Sequence, residues 1–204
     1  VDSFLATWSV TPHVPVSVDL LTDADLHVRG PATACSAAVR ALVVRAARTH
    51  APDELLIAVV ARRDRLHAWE WMKWLPHAWS PLAADDVGPS RLVVSDPAAL
   101  PLLLGDDTTH VLVVFDGVPP QAHQPTGGRR SVVVVGGTEP VPHLLELTGD
   151  TSARLIRPGL PPVDIVPDVL GPEQAEAAAR EVVRGSASAE PAGAGSAPTD
   201  VVAL

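Results

Sequence analysis

Three unbroken aliphatic runs, Leu55 to Ala61, His110 to Phe115 and Ser131 to Val135, constrain this chain more than anything else in it. Each has the length of a strand, each is rich in Val, Ile and Leu, and none alternates with polar residues. A strand of that kind is buried on both faces, as in a parallel sheet between helical layers. Between the runs lie stretches with helical spacing. From about Thr33 to His50, Arg40, Arg45 and Arg48 fall within a sector of roughly 140°, opposite Val39, Leu42, Val43 and Ala46. Strands alternating with helices predict an α/β fold with a mostly parallel sheet covered on both faces.

Further elements fill in the order. Val14 to Leu20 alternates and predicts a partly exposed strand, which the short strand Leu26 to Arg29 is expected to pair with. Arg65 to Leu75 is expected to be helical, with Asp64 as N-cap and Pro76 as the stop. Arg91 to Ser95 predicts a strand and Ala98 to Leu104 a short helix. Leu144 to Leu147 and Ala153 to Ile156 are expected as short edge strands. Gly171-Pro172 opens a helix with Glu173 and Glu176 early and Arg180 and Arg184 late, an order that suits the helix dipole.

The expected organisation is a domain over 1–184, a flexible Ser/Ala/Gly/Pro linker over 185–200, and the first residues of a following domain at 201–204. The start at Val1-Asp2, without Met or a signal peptide, reads as a segment of something longer. No run reaches the ~18 uninterrupted apolar residues of a membrane span. A formal net charge of −9 gives no electrostatic footprint for nucleic acid. One Cys excludes an internal disulfide and any cysteine-based zinc site, and the eight His show no ligand spacing, so no metal is expected.

The turn at Gly30 follows a strand and opens a helix, the context of a phosphate-binding loop. Counted against G-x-x-x-x-G-K-[ST], Cys35 replaces the second Gly, Ser36 the Lys that reaches the outer phosphates, and Ala37 the hydroxyl that binds Mg²⁺. Asp116 ends the run Val111 to Phe115, where an ATPase holds its metal-binding acid. Gly117 follows, where many such enzymes carry the Glu that polarises water. A strand also ends in Asp-Gly simply to turn. Together the two features indicate a degenerate P-loop NTPase-like domain, with Gly30, Ser36 and Asp116 as a vestigial site. No catalytic residue is assigned and no cofactor is expected; the alternative is Mg-ATP.

Four of the five Trp lie between Trp69 and Trp79. At α-helical spacing Trp71 and Trp74 share the apolar stripe, whereas Trp69 points away from it. One helix cannot readily bury all four rings, so Trp69 and Trp79 are candidates for a contact surface. Gly127-Gly128-Arg129-Arg130 reads as a solvated hairpin tip, and a triad hydrolase lacks its G-x-S-x-G elbow here.

With these residues in view the chain resembles the region of EccC-type proteins of actinobacterial type VII secretion systems that precedes their first FtsK/SpoIIIE-like ATPase domain. The resemblance rests on Ala41 to Val44, Thr49 to Val60, Trp69 to Ala78, Gly88 to Val93, His110 to Gly117 and Glu173 to Arg180. It implies a nucleotide-binding-like fold that is degenerate, lying at the cytoplasmic face of the cell membrane within a membrane-anchored motor that is itself an ATPase. The implied partners are the other ATPase domains of the parent chain and the membrane-core components. The expected role is non-hydrolysing coupling and docking. The competing readings are a true ATP-binding or hydrolysing domain using Arg129 or Arg130, and a small-molecule or peptide-binding module outside secretion.

Overall fold

The computed structural model describes residues 15–20, 25–105, 109–120, 129–138, 141–149, 151–188 and 202–203. Its strands are β1 (Ser17–Val18), β2 (Asp25–Arg29), β3 (Leu55–Ala61), β4 (Trp79–Asp85), β5 (Gly88–Arg91), β6 (Val93–Val94), β7 (His110–Asp116), β8 (Arg130–Val135), β9 (His143–Leu147), β10 (Ala153–Ile156), β11 (Val163–Ile165) and β12 (Val202–Ala203). The α-helices are α1 (Ala32–Thr49), α2 (Leu100–Leu104) and α3 (Pro172–Ser188); Arg63–Trp74 winds as a long 3₁₀ segment.

Eight strands form one sheet in the order β11-β10-β9-β2-β8-β7-β3-β6. From β9 to β6 every pairing is parallel. β10 and β11 extend that core as an antiparallel meander. The three aliphatic runs are β3, β7 and β8, side by side in the centre, and every residue of β3 is buried. An α/β fold with a mostly parallel sheet is therefore what the chain forms. β4 and β5 pair with each other as a separate hairpin, and β1 pairs antiparallel with β12.

Alternation along the strands sends two sets of side chains into two cores. Leu26, Val28, Ile57, Val59, Leu112, Val114, Val133, Leu145 and Leu155 face α1 and the 3₁₀ segment. Ala58, Val60, Val113, Phe115, Val132 and Val134 face the other way, against Leu92, Leu100 and Leu104. Beyond β2 that second face is wet. Arg29, Glu146, Arg154 and Asp164 stand opposite one another across β2, β9, β10 and β11, a row of alternating charge. Arg154 and Asp164 pair at 2.8 Å.

α1 buries more than one stripe: Ala38, Ala41, Val44 and Ala47 are covered as well as the predicted face. The second cover is α3, which lies against α1 and the 3₁₀ segment through Ala175, Ala178, Ala179 and Val182. Part of the expected arginine face receives it. Arg48 pairs with Glu181 at 2.6 Å, and Arg40 donates from Nε to the Leu170 carbonyl at 2.7 Å.

Several local expectations change. Only Ser17–Val18 of the first predicted strand is extended, and β2 pairs with β8 and β9 rather than with it. Arg91 belongs to the hairpin, and a break at Leu92 separates it from β6. β9 lies inside the sheet because β11, which the sequence reading missed, takes the edge with β10 next to it. Asp64 does not cap; its carboxylate pairs with Arg62, which holds the N-cap position. α3 continues to Ser188, past the expected linker boundary at Gly185, and the rest of 185–200 lies outside the described residues.

Candidate functional site

All strands of the parallel core end at one edge, and the chain reverses direction there. The connection leaving β2 runs to β3 on one side, whereas the connection leaving β8 passes β2 to reach β9 on the other. Such a switch point is where open α/β sheets hold ligands. The Gly30 turn and Gly136-Gly137 flank it, and Asp116 lies one strand beyond β8.

Gly30 has φ +137°, and a Cβ there would collide with the carbonyl oxygen and the Cβ of Leu147 at the end of β9. Glycine is thus required by packing of the β2 turn on β9. Only Gly30 and Pro31 separate β2 from α1, and the Cys35 amide already bonds to the Pro31 carbonyl at 2.9 Å. A phosphate loop needs several non-helical residues whose amides converge on the anion. Here those positions are wound into the first turn of α1. Ser36 is half-buried in the second turn of α1, away from the helix start.

Asp116 is 3 % exposed, and both its carboxylate oxygens are engaged. Arg65 pairs with Oδ1, and the Trp69 indole donates from Nε1 to Oδ2 at 3.1 Å. The Arg62 amide holds the Asp116 carbonyl at 3.2 Å. Gly117, at φ +71°, turns the chain beside Arg65 and Arg62. Cys35 is buried within electrostatic reach of this pair. Burial pushes its thiol up, Asp116 adds to that rise, and Arg65 opposes it. A guanidinium therefore sits on the acid that closes β7.

Sequence reading missed Arg65 and misplaced Trp69. Trp69 is 3 % exposed and is no contact surface. The cause is winding. In a 3₁₀ helix residues three apart eclipse, so Leu66, Trp69, Met72 and Leu75 form one inward row and Asp64, His67 and Glu70 one wet row. Trp71 is buried beside Trp69, ring centroids 6.3 Å apart. Trp74, expected inside, is 37 % exposed; Arg180 stacks on it at 4.3 Å and Glu176 accepts from its Nε1 at 3.1 Å. Trp79 is half-buried at the base of the β4–β5 hairpin. Arg130 opens β8, and Arg129 directly precedes it, at the edge opposite Asp116. Neither can serve the switch point of its own chain. Gly127 and Gly128 lie outside the described residues.

No family model matches the chain. EccC4, an ESX-4 secretion system protein of Mycobacterium tuberculosis, is 30% identical over 199 residues, 94% of this chain and 16% of the relative. EccC3, an ESX-3 secretion system protein of the same species, is 32% identical over 161 residues, 69% of this chain and 12% of the relative. An ESX secretion system protein EccC of Thermomonospora curvata is 38% identical over 104 residues, 51% of this chain and 8% of the relative. The chain thus spans less than a fifth of the length of each of these relatives. Among solved structures, EssC (ATPases 2 and 3) from Geobacillus thermodenitrificans superposes with a TM-score of 0.48 at 12% identity, covering 80% of this chain and 44% of that one. With identity to EccC4 running along nearly its whole length, the chain belongs to the EccC proteins, as an EccC-type segment.

Proposed function

We propose that this segment is a non-hydrolysing coupling and docking domain of a type VII secretion motor, linking a membrane anchor to the ATPase domains of the parent protein at the cytoplasmic face of the membrane. One observation carries the reading: Asp116, the acid that closes β7 at the switch-point edge, is buried with Arg65 and Trp69 on its two oxygens. Phosphoryl transfer depends on Mg²⁺ and a Lys to neutralise the charge that develops on the phosphates. Here the cation beside the acid belongs to the protein, and Ser36 stands where the Lys would be. The family membership supplies the secretion setting. Among the described residues no helix is long and apolar enough to cross a membrane.

The test is a thermal titration of the 204-residue chain with Mg-ATP. The coupling reading expects a flat response. A ligand at a hundred times its Kd would stabilise the fold by about 2.7 kcal/mol, and such a shift would overturn the reading.

A second reading, ATP binding without turnover, has one observation in its favour. The N-terminus of α1 carries no side-chain cap and opens at the switch point opposite Gly136, where a Cβ would meet nothing within 4 Å. Its signature is a shift that persists when Mg²⁺ is chelated.

A further inference from the structure

The β4–β5 hairpin pairs with no strand of the eight-stranded sheet and belongs to neither core. With α2 beside it, this unit carries three of the four most exposed large apolar side chains among the described residues: Val87 at 96 %, Leu102 at 78 % and Leu82 at 64 %. Exposed aliphatics occur singly on any surface. Three on one small unit need a cause, and the backbone around them supplies it.

Two polar side chains hold these residues out. Asp85 accepts through Oδ1 from the amides of Val87 at 2.8 Å and Gly88 at 3.1 Å, which closes the turn and leaves Val87 at its tip. Gly88 completes that turn at φ +147°. Ser80 accepts from the amides of Leu82 at 3.2 Å and Ala83 at 2.8 Å, and donates to the Leu103 carbonyl at 2.6 Å. The strand pairing shifts between Trp79 and Ala84, where Ser80 works. Leu82 is thereby laid against Gly105, at the end of α2, in the space a Cβ there would need. Leu102 follows from helix geometry, since Leu100 and Leu104 take the buried side of α2. The unit is stiffened in the bonded state, so presenting these side chains to a partner costs little ordering.

The surroundings are acidic. Asp85 and Asp86 are exposed at the tip, and the nearby Arg91 is matched to Glu70 at 3.3 Å. A second copy meeting this surface would set acid against acid, which is costly. An anionic lipid face would be repelled likewise. We propose that the β4–β5 hairpin and α2 form a docking surface for another protein of the secretion assembly, one that presents an apolar groove rimmed by Lys and Arg. The proposal rests on the docking reading above, and it moves the contact from Trp69 to the hairpin that Trp79 begins.

The experiment places a photo-crosslinking benzophenone side chain at position Val87 of the full parent protein in its assembled membrane complex. The same group at Leu160, exposed in the turn before β11, is the control. The expected product joins Val87 to a protein segment with aliphatic residues flanked by Lys or Arg. Its yield falls at least about tenfold with Leu82→Ser plus Leu102→Ser, as for loss of interface anchors. It also falls with Asp86→Lys and with rising salt. A yield no higher than at Leu160, a product with a second copy of the hairpin, a lipid product or an acid-flanked site each overturns the proposal. The Mg-ATP titration of the 204-residue chain separates the two failures. If that chain ignores nucleotide and position 87 is silent, only this surface is wrong; if it binds Mg-ATP tightly, the coupling reading falls whatever position 87 touches.

Discussion

Asp116 is buried at the end of β7 with both carboxylate oxygens bonded, and one of its two partners carries the opposite charge. An acid closing a buried strand stands out in any sequence; its partner does not, because Arg65 is fifty-one positions away and comes from the neighbouring strand's exit. Removing one member of a buried pair strands the other, whereas replacing both with apolar residues is often nearly neutral. Asp116→Leu and Arg65→Met are therefore expected to destabilise singly, Asp116→Leu by about 2–4 kcal/mol and Arg65→Met by less because Arg65 is partly exposed. The double variant should recover at least about 1 kcal/mol relative to the sum. Urea unfolding of the four proteins checks this, and strict additivity would mean that the pair is not coupled. Gly30 is similar: the glycine was legible, but Leu147 rather than a phosphate explains it. His77 adds a pH signature. It is fully buried, with Nε2 donating to the His50 carbonyl at 2.8 Å. Burial pushes its pKa below the ordinary 6.5, against the pull of that bond. Above 6.5 the ring is neutral in both states and pH has no effect through it. As pH falls below 6.5 the unfolded chain takes up the proton first, so stability declines, by at most about 1.4 kcal/mol per pH unit. His27, lowered by burial and by Arg29, acts in the same direction. His77→Gln should flatten part of the slope between pH 7 and 5 in denaturation midpoints; an unchanged slope would exclude His77 as its source.

Elements differ in how far their local pattern decides them. α1 was legible because apolar spacing over eighteen residues leaves no rival period, and β3, β7 and β8 because nothing polar interrupts them. The Arg63–Trp74 segment was legible as helical but not in its winding, and a change from 3.6 to 3 residues per turn reassigns every ring. Its apolar residues fit either period over so short a span. Packing against the sheet makes the choice. α3 depends on the outcome, because the outward Trp74 is what it grips. Its buried side chains are Ala175, Ala178, Ala179 and Val182, a small apolar contribution. The Trp74 stack with Arg180 and the bond to Glu176 thus matter more than such contacts do on a well-buried helix. Trp74→Ala removes both, at a cost of about 1–2 kcal/mol. The predicted result is local: amide exchange across 172–184 accelerates by roughly tenfold while β3 and β7 keep their protection. If exchange rises equally in the sheet, α3 is part of the cooperative core and not a separately held lever.

At the scale of the whole molecule, strand identity came from local sequence and strand order did not. Order is set by which aliphatic faces meet after the crossovers fold back, and no residue pattern in β2 announces that β8 and β9 will flank it. That gap has a consequence for function. Judged by sequence, the distance to a working nucleotide site is three residues, Cys35, Ser36 and Ala37. Judged by architecture it is larger: the β2–α1 turn is two residues long, one of them a proline without an N–H, the positions that follow are wound into the first helical turn, and Arg65 already pairs with the acid at the end of β7. The triple variant Cys35→Gly, Ser36→Lys and Ala37→Thr restores the motif and leaves all of that in place. It should fold with a loss of stability of about 1–2 kcal/mol, chiefly from glycine inside a helix, and its melting temperature should stay insensitive to millimolar Mg-ATP. Adding Arg65→Ala to it frees Oδ1 of Asp116, with Trp69 still on Oδ2, yet provides no loop, so that protein too is expected to remain blind to nucleotide. If the triple variant alone binds Mg-ATP, the missing side chains were the whole defect and the short turn is no obstacle. If only the quadruple variant binds, Arg65 was the block, and the domain is a nucleotide site held shut from within.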